Sequence, residues 1–201
     1  YVIREGIFRP QVVYGYFPCA SDKNSLIVYR DDRKTPWVRF DFPRQLKPPH
    51  LCVADFFKAQ KSDEMDVIGM MIVTIGAEAT PHIQKVFKDN AYADYLYLHG
   101  LSVETAEALA EYWHKRMREE LRIADQDSSQ IRGLFQQKYQ GSRYSFGYPA
   151  CPNLEDQKKM VSLLDPGRIG VSLSEEYQLD REQSTSAIIV YHPQAKYFSI
   201  D

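Results

Sequence analysis

The most regular feature of the chain is a nearly continuous apolar run at residues 67–75, within a segment that extends from Asp66 to Gly76. An apolar run of this length predicts a strand in the centre of a sheet, covered on both faces. A helix that spans a membrane needs about 20 apolar residues. The run therefore predicts a buried strand and no membrane-spanning segment.

Shorter stretches near both ends of the chain are rich in β-branched and aromatic residues, which is typical of strands. They predict strands at residues 11–17, 26–30, 37–42, 169–173, 187–192 and 196–200. The first of these is expected to stop at Pro18, because proline cannot donate a ladder hydrogen bond.

The middle of the chain shows helical periodicity. Apolar residues recur at spacings of three and four between residues 102 and 125, at Ala106, Leu109, Trp113, Met117 and Leu121. This spacing places one apolar stripe on a helix, for which Ser102 is a suitable N-cap. Shorter helices are predicted from Thr80 and Pro81 onward, and over residues 128–137 and 154–164.

Helices concentrated between two groups of strands are typical of an α+β fold. We therefore expect a mostly antiparallel, twisted sheet with helices packed around it, as a single domain over residues 1–201. A length of 201 residues suits one domain with a substantial core. Because the chain begins at Tyr1 rather than Met, we expect it to be a piece of a longer polypeptide.

The charge balance and the cysteine spacing argue against several classes of protein. The 25 basic and 27 acidic residues leave a net charge of −2 without long blocks of one sign, which gives little support to binding of nucleic acid or a membrane surface. Cys19, Cys52 and Cys151 are few and widely spaced, which argues against a disulfide framework or a cysteine-based zinc site. We expect reduced thiols in a cytoplasmic protein.

Common catalytic motifs are missing from the sequence. It has neither a Gly-x-Gly-x-x-Gly segment after a strand nor a P-loop. Glu111-x-x-His114 has the spacing found in di-iron bundles, but those need a second copy, which the chain lacks. A solvated or hydrogen-bonded helix face is the better interpretation of this pair.

The segment at residues 143–152 combines Arg143, Gly147 and two prolines with three aromatic residues. Proline disfavours a helix or a central strand here, and glycine permits backbone angles that other residues resist. The segment predicts an ordered loop that presents Arg143 and Tyr148. On spacing alone, a simple connecting loop is the favoured alternative.

The motif Arg143-x-x-x-Gly147-Tyr148, followed by Pro-Ala-Cys-Pro, resembles the signature of the activation domain of cobalamin-dependent methionine synthase. Further similar segments lie at residues 9–18, 52–56, 106–114, 139–143 and 196–198. The resemblance thus extends through most of the chain.

This resemblance implies that S-adenosylmethionine is bound by Glu107, Arg143, Gly147, Tyr148, Tyr197 and Phe198. Arg143 matches the signature arginine, whose planar fork suits the methionyl carboxylate. Gly147 matches the glycine that lets the backbone approach the ligand, and Tyr148 the tyrosine that faces the corrin. Glu107 matches a helix acid near the site, whereas Tyr197 and Phe198 match positions that contact ligand.

Two departures from the family pattern affect the expected site. Tyr144-Ser-Phe146 stands where members often have Pro-Ala-Pro, and Gln137 stands where some members carry Glu. The family residue that holds the ligand's amino group lies on an upstream segment, so it is assigned to no residue here.

The activity implied by the resemblance is presentation of the S-adenosylmethionine methyl group to cob(I)alamin during reductive reactivation of methionine synthase, an enzyme of methionine biosynthesis. Cobalamin would be held by another domain of the same enzyme, and a flavodoxin-type protein would supply the electron. The reduced cobalt is itself the nucleophile, so no catalytic base or metal ligand is expected in this chain, and the chain alone is not expected to turn over.

Two alternatives come from other functional classes. The same fold could serve as a non-catalytic module that senses adenosylmethionine or binds a protein, or as a free-standing enzyme. A cobalamin-binding Asp-x-His-x-x-Gly segment ahead of Tyr1 would favour the synthase.

Overall fold

The computed structural model describes residues 1–62, 64–125, 127–128 and 130–201. Within these residues, an antiparallel sheet of six strands has the order β3-β2-β1-β4-β8-β5. Its strands are β1 (Gln11–Asp22), β2 (Ser25–Tyr29), β3 (Pro36–Asp41), β4 (Asp66–Thr74), β5 (Ser142–Tyr144) and β8 (Ser184–Val190). A separate ribbon pairs β6 (Ser172–Leu173) with β7 (Leu179–Asp180).

The helices are α1 (Ala79–Lys88), α2 (Tyr92–Glu120), α3 (Ile131–Phe135) and α4 (Gln157–Leu164). Short 3₁₀ turns occupy Val53–Phe56, Leu154–Asp156 and Pro166–Ile169. The architecture confirms the expected α+β fold with a mostly antiparallel sheet in a single domain. None of the described helices combines the length and the hydropathy needed to cross a membrane.

The apolar run at residues 67–75 forms the centre of the sheet, as predicted. Side chains alternate between the two faces along β4, so Met70 and Ile72 pack into the larger core, whereas Met71 and Val73 pack towards α2. All four are 0–1% exposed. Burial on both faces explains why this strand has an almost continuous apolar sequence.

Helix α2 lies on one face of the sheet and is fixed there by packing and by polar contacts. Met117 is fully buried above Gly69 of β4, where an added Cβ would lie 2.8 Å from the Met117 Cε. The hydroxyl groups of Tyr14 and Tyr16 on β1 donate to the Glu120 carboxylate over 3.1 and 2.7 Å. These contacts determine where the second half of α2 crosses the sheet.

The predicted end of the first strand at Pro18 is wrong. Strand β1 continues through Pro18 to Asp22. Residues 11–19 pair with β4, whereas pairing with β2 starts at Cys19. Because Pro18 lies where β1 passes from one neighbour to the other, the missing N–H donor is tolerated.

The predicted start of the long helix is also wrong. Helix α2 begins at Tyr92 and ends at Glu120, not at Asp125. Ser102 lies inside the helix, where its buried hydroxyl donates to the carbonyl of His99 over 2.6 Å. Serine often makes such a local bond within a helix, so it is no reliable mark of a helix start.

Three predictions in the second half of the chain need correction. Residues 196–200 run without regular secondary structure, and only Ser172 and Leu173 of residues 169–173 form a strand. The helix predicted at 128–137 is confined to α3, and Ser129 within that prediction lies outside the described residues.

Candidate functional site

An open cleft with a volume of about 220 Å³ lies between α2 and the edge strand β5. Four separate parts of the chain form its walls, namely α2, residues 137–148, strand β8 and the C-terminal segment. The lining residues are Glu107, Glu111, Gln137, Tyr139, Ser142, Arg143, Ser145, Tyr148, Thr185 and Tyr197.

Arg143 reaches the cleft because of its register in the sheet. It is directly opposite Ile189 of β8, and paired residues on neighbouring strands share a face. Ile189 packs on the side of α2, so the Arg143 side chain lies on that side as well. Its neighbour Tyr144 is buried in the larger core and donates its hydroxyl to the carbonyl of Lys196 over 2.8 Å.

Two glutamates of α2 bind the Arg143 side chain. Its Nε donates to Oε1 of Glu111 and its Nη2 to Oε2 of Glu107, both over 2.9 Å. Glu107 and Glu111 are four residues apart and therefore lie on the same face of the helix. Burial acts to lower the pKa of Arg143, but the two carboxylates outweigh it and the pKa is raised. The guanidinium is thus held in its charged form.

The guanidinium keeps further donors for a ligand. Arginine has five N–H donors in a planar fork, of which one on Nε and one on Nη2 are engaged by the glutamates. Within the described part of the chain, Nη1 makes no hydrogen bond. The far end of the fork, formed by Nη1 and Nη2, suits a bidentate anion such as a carboxylate.

His114 lies behind Glu111 and is fully buried. Its Nδ1 is 3.9 Å from Oε2 of Glu111. Burial lowers the pKa of His114, which favours the neutral ring. The pKa of the Glu111 carboxyl is lowered to about 2. The neighbouring His114 contributes most to this shift and Arg143 lowers the pKa further, whereas partial burial acts to raise it. Glu111 is therefore ionised at neutral pH.

Tyr139 also lines the cleft, and its ring packs against the buried side chains of His114 and Arg118. Its ring is edge-on to His114, with 5.4 Å between ring centroids, and lies 4.2 Å from the guanidinium carbon of Arg118. Nζ of Lys196 donates to the carbonyls of Gln137 and Tyr139 over 3.1 and 2.9 Å. This pair of bonds ties the C-terminal segment, and with it Tyr197, to the wall of the cleft.

The structure brings four of the six predicted site residues together. Arg143, Glu107, Tyr148 and Tyr197 all line the cleft, and the two tyrosines are 59% and 48% exposed. Their rings thus form an accessible aromatic rim of the cleft, beside the charged side chains of Arg143 and Glu107.

Gly147 and Phe198 lie next to the cleft but do not line it. Gly147 has a φ of 90°, which favours glycine, and its N–H donates to the carbonyl of Cys151 in a tight turn. Phe198 is 7% exposed and packs against Phe56 and Tyr144 in the core. Ligand contact stays a prediction for all six residues.

Several lining residues were not predicted as site residues from the sequence. Glu111 is the most important of them, and its position one helical turn after Glu107 was a usable signal. Tyr139 belongs to the segment that leads into Arg143, whereas Thr185 of β8 carries no local signal. Within the described residues, no group of three or more His, Cys, Asp or Glu side chains is placed to hold a metal ion.

Comparison with known proteins identifies the family of the chain. The family model described as "Vitamin B12 dependent methionine synthase, activation domain" matches residues 1–201. The chain belongs to this family. The activation domain is also similar to the methionine synthase of Mycobacterium tuberculosis, with 46% identity over 201 residues, and to that of Mycobacterium leprae, with 45%. Each alignment covers 94% of this chain and 17% of the relative.

A solved structure has the same fold. It is described as the crystal structure of the MetH reactivation domain bound to AdoHcy, and it matches with a TM-score of 0.92 and 27% identity. The match covers 99% of this chain and 63% of the solved chain. The activation domain described here thus spans about a sixth of the length of the curated relatives, which are enzymes.

Proposed function

We propose that this activation domain binds S-adenosylmethionine in the cleft beside Arg143 and presents its methyl group to a cobalamin held by another domain of the same enzyme. The observation that carries the proposal is the ion-paired Arg143, which keeps unengaged donors towards an open cleft with an aromatic rim. AdoHcy, bound in the structurally similar reactivation domain, is the demethylated counterpart of S-adenosylmethionine.

The charge pattern of the cleft suits both ends of the amino-acid part of the ligand. The Nη1 and Nη2 donors of Arg143 match a carboxylate, for which a bidentate contact is the strongest geometry. Glu107 and Glu111 place negative charge within the same cleft, which favours the positively charged sulfonium. One oxygen of Glu107 accepts a bond from Arg143, and its other oxygen has capacity for a donor of the ligand.

The exposed rings of Tyr148 and Tyr197 suit the remaining parts of the ligand. Aromatic faces attract cations such as a sulfonium and pack against flat heterocycles such as adenine. Because Tyr148 is more than half exposed at the rim, it is also placed to meet a neighbouring domain. We extend the proposal to ligand contacts by Gly147, through its backbone, and by Phe198.

The chemistry requires positioning rather than acid–base catalysis by this chain. Cobalamin held by another domain would, in its reduced form, supply the nucleophile for the methyl group, and the electrons of the C–S bond would remain on the sulfur of the thioether product. Residues of this chain hold the ligand in place, orient its methyl group and keep water from it. Such positioning can contribute about 7–11 kcal/mol at best. We also propose a flavodoxin-type protein as electron donor, on the family resemblance alone.

Titration calorimetry of S-adenosylmethionine into this protein and its Arg143→Ala variant tests the proposal. Loss of a charged hydrogen-bonded contact costs about 1.5–3 kcal/mol, so we expect the affinity to fall by at least about tenfold. Arg116→Ala, which removes a half-exposed arginine of α2 outside the cleft, should leave the affinity unchanged. Equal binding by the parent and the Arg143 variant would contradict the proposed carboxylate anchor.

Methyl presentation is tested separately from binding, in the full-length enzyme loaded with cobalamin. Tyr148→Ala should slow transfer of isotopically labelled methyl groups from S-adenosylmethionine more than it weakens binding. Binding without any methyl transfer in the parent enzyme would instead support the alternative of a sensing module.

A further inference from the structure

We propose that Glu111 is a positioning residue that fixes the plane of the Arg143 guanidinium and thereby aims its free donors at the ligand carboxylate. The inference rests on the proposed function, since it concerns how Arg143 recognises that carboxylate. Glu111 reaches Arg143 through Nε, over 2.9 Å.

The contact at Nε determines the orientation of the whole fork. Because the guanidinium is planar and its donors are rigidly spaced, a hydrogen bond at Nε fixes rotation of the group about the side-chain stem. Glu107 binds the adjacent Nη2 on the same edge. The two carboxylates together occupy the edge that faces α2 and leave Nη1, with the second proton of Nη2, for an anion on the other side.

Glu111 is better suited to this role than Glu107, because its second oxygen lies beside the buried side chain of His114. One oxygen of Glu111 accepts from Arg143, and the other lies 3.9 Å from the buried ring of His114. That ring is in turn held against Tyr139, on which Arg118 packs. Within the described residues, each of the two glutamates accepts one hydrogen bond, and Arg143 is the donor in both cases. The difference between them is therefore the buried neighbour of Glu111.

The two glutamates therefore have different roles in the proposal. Glu111 connects the guanidinium to the packed interior of the domain, whereas Glu107 keeps one oxygen for the ligand. Loss of Glu111 should let the guanidinium turn away from the cleft, although Arg143 itself is still present.

The first test needs no ligand. The Nε–Hε resonance of Arg143, assigned by its disappearance in Arg143→Lys, reports the contact by its rate of exchange with water. Exchange should be at least about tenfold faster in Glu111→Ala than in the parent, the factor that corresponds to 1.4 kcal/mol. Glu111→Gln, which keeps an acceptor oxygen, should restore part of the protection, and the exposed Glu104→Ala on the same helix should change nothing. Fast exchange in the parent would overturn the proposal.

The second test compares AdoHcy with 5′-methylthioadenosine, which lacks the carboxylate, by titration calorimetry. Glu111→Ala should weaken AdoHcy about tenfold and leave 5′-methylthioadenosine unchanged. In the Arg143→Ala background the same substitution should cause no further loss for AdoHcy. An equal loss for both ligands, or an undiminished loss without Arg143, would show that Glu111 acts on the ligand or on the fold directly and would overturn the proposal.

The two tests separate this inference from the proposed function. A parent protein that binds neither ligand would contradict the proposed function, whereas the exchange of the Arg143 Hε would still decide whether Glu111 holds the guanidinium.

Discussion

The guanidinium carbon of Arg118 lies 4.2 Å from the ring centroid of Tyr139, so a buried cation supports the ring that forms one wall of the cleft. The same guanidinium donates through Nη1 to the Asp127 carboxylate over 2.5 Å. The Arg118 and Asp127 side chains are only 2% and 9% exposed. This ion pair connects the end of α2 to the segment that leads into the site.

Arg118→Ala should destabilise the fold by about 3–5 kcal/mol, because it leaves the Asp127 carboxylate buried without its partner. The measurement is urea unfolding at neutral pH. Arg116→Ala serves as the control, since its ion pair with Glu119 is half exposed and should contribute less than about 1 kcal/mol. A cost for Arg118→Ala no larger than that for Arg116→Ala would contradict the prediction.

Gly147→Ala should destabilise the loop after β5. Gly147 has a φ of 90°, and an added Cβ would lie 3.1 Å from Cδ2 of Leu154. Backbone strain of this kind costs about 1–3 kcal/mol, which thermal unfolding would detect as a lower midpoint.

Gly100→Ala is the matched control, with the opposite expected sign. Gly100 lies within α2 and an added Cβ would meet nothing within 4 Å. Alanine in such a helical position is favoured over glycine by about 0.5–1 kcal/mol. A stabilised Gly147→Ala variant, or a destabilised Gly100→Ala variant, would contradict these backbone arguments.

Met117 and Gly69 should show coupled effects on stability. Met117→Ala removes a fully buried side chain and should cost about 2–5 kcal/mol. Gly69→Ala adds a methyl group 2.8 Å from the Met117 Cε and 3.0 Å from the Ile189 Cβ, which should cost about 1–3 kcal/mol.

The coupling itself is measured by chemical unfolding of the double variant. Gly69→Ala should be less costly when residue 117 is alanine, because the new methyl group then enters the space that the Met117 side chain leaves. Additive costs would show that Met117 does not pack on Gly69.

Glu111 should make stability depend on pH in the acidic range. Its pKa is lowered from 4.5 to about 2 in the folded protein, so the unfolded chain takes up the proton first as the pH falls. The contribution of Glu111 is therefore fully present above about pH 4.5 and is lost as the pH falls towards 2.

A comparison of the parent with Glu111→Gln by urea unfolding at several pH values checks this prediction. The difference in unfolding free energy should be constant above about pH 4.5 and should shrink on acidification, since the variant has no carboxyl group to protonate. A difference that grows on acidification would contradict the lowered pKa.

The sequence predicted those parts of the fold where local pattern and burial coincide. The apolar run of β4 was recognisable because both faces of this strand are covered. The first turns of α2 were missed for the opposite reason, since exposed residues such as Tyr92, Leu96 and Tyr97 give no apolar stripe there. The apolar stripe therefore led to a predicted helix start at Ser102, ten residues after the true start at Tyr92.

The candidate site was predictable only in part. The motif around Arg143 and Tyr148 is continuous in sequence, whereas the pairing of Arg143 with Glu111 depends on β5 lying beside β8. That pairing brings together residues 32 positions apart. The sequence alone led to the interpretation of Glu111 and His114 as a solvated or hydrogen-bonded face, although His114 is fully buried.

The walls of the cleft come from four distant parts of the chain, and Lys196 joins two of these parts by donating to the carbonyls of Gln137 and Tyr139. The site therefore exists only in the folded protein. A molecule that binds there binds the folded state and not the unfolded chain, so it shifts the folding equilibrium towards the folded state. A ligand at 100 times its dissociation constant would raise the free energy of unfolding by about 2.7 kcal/mol. If the proposed ligand binds here, the folded fraction of the domain would rise with the concentration of that ligand.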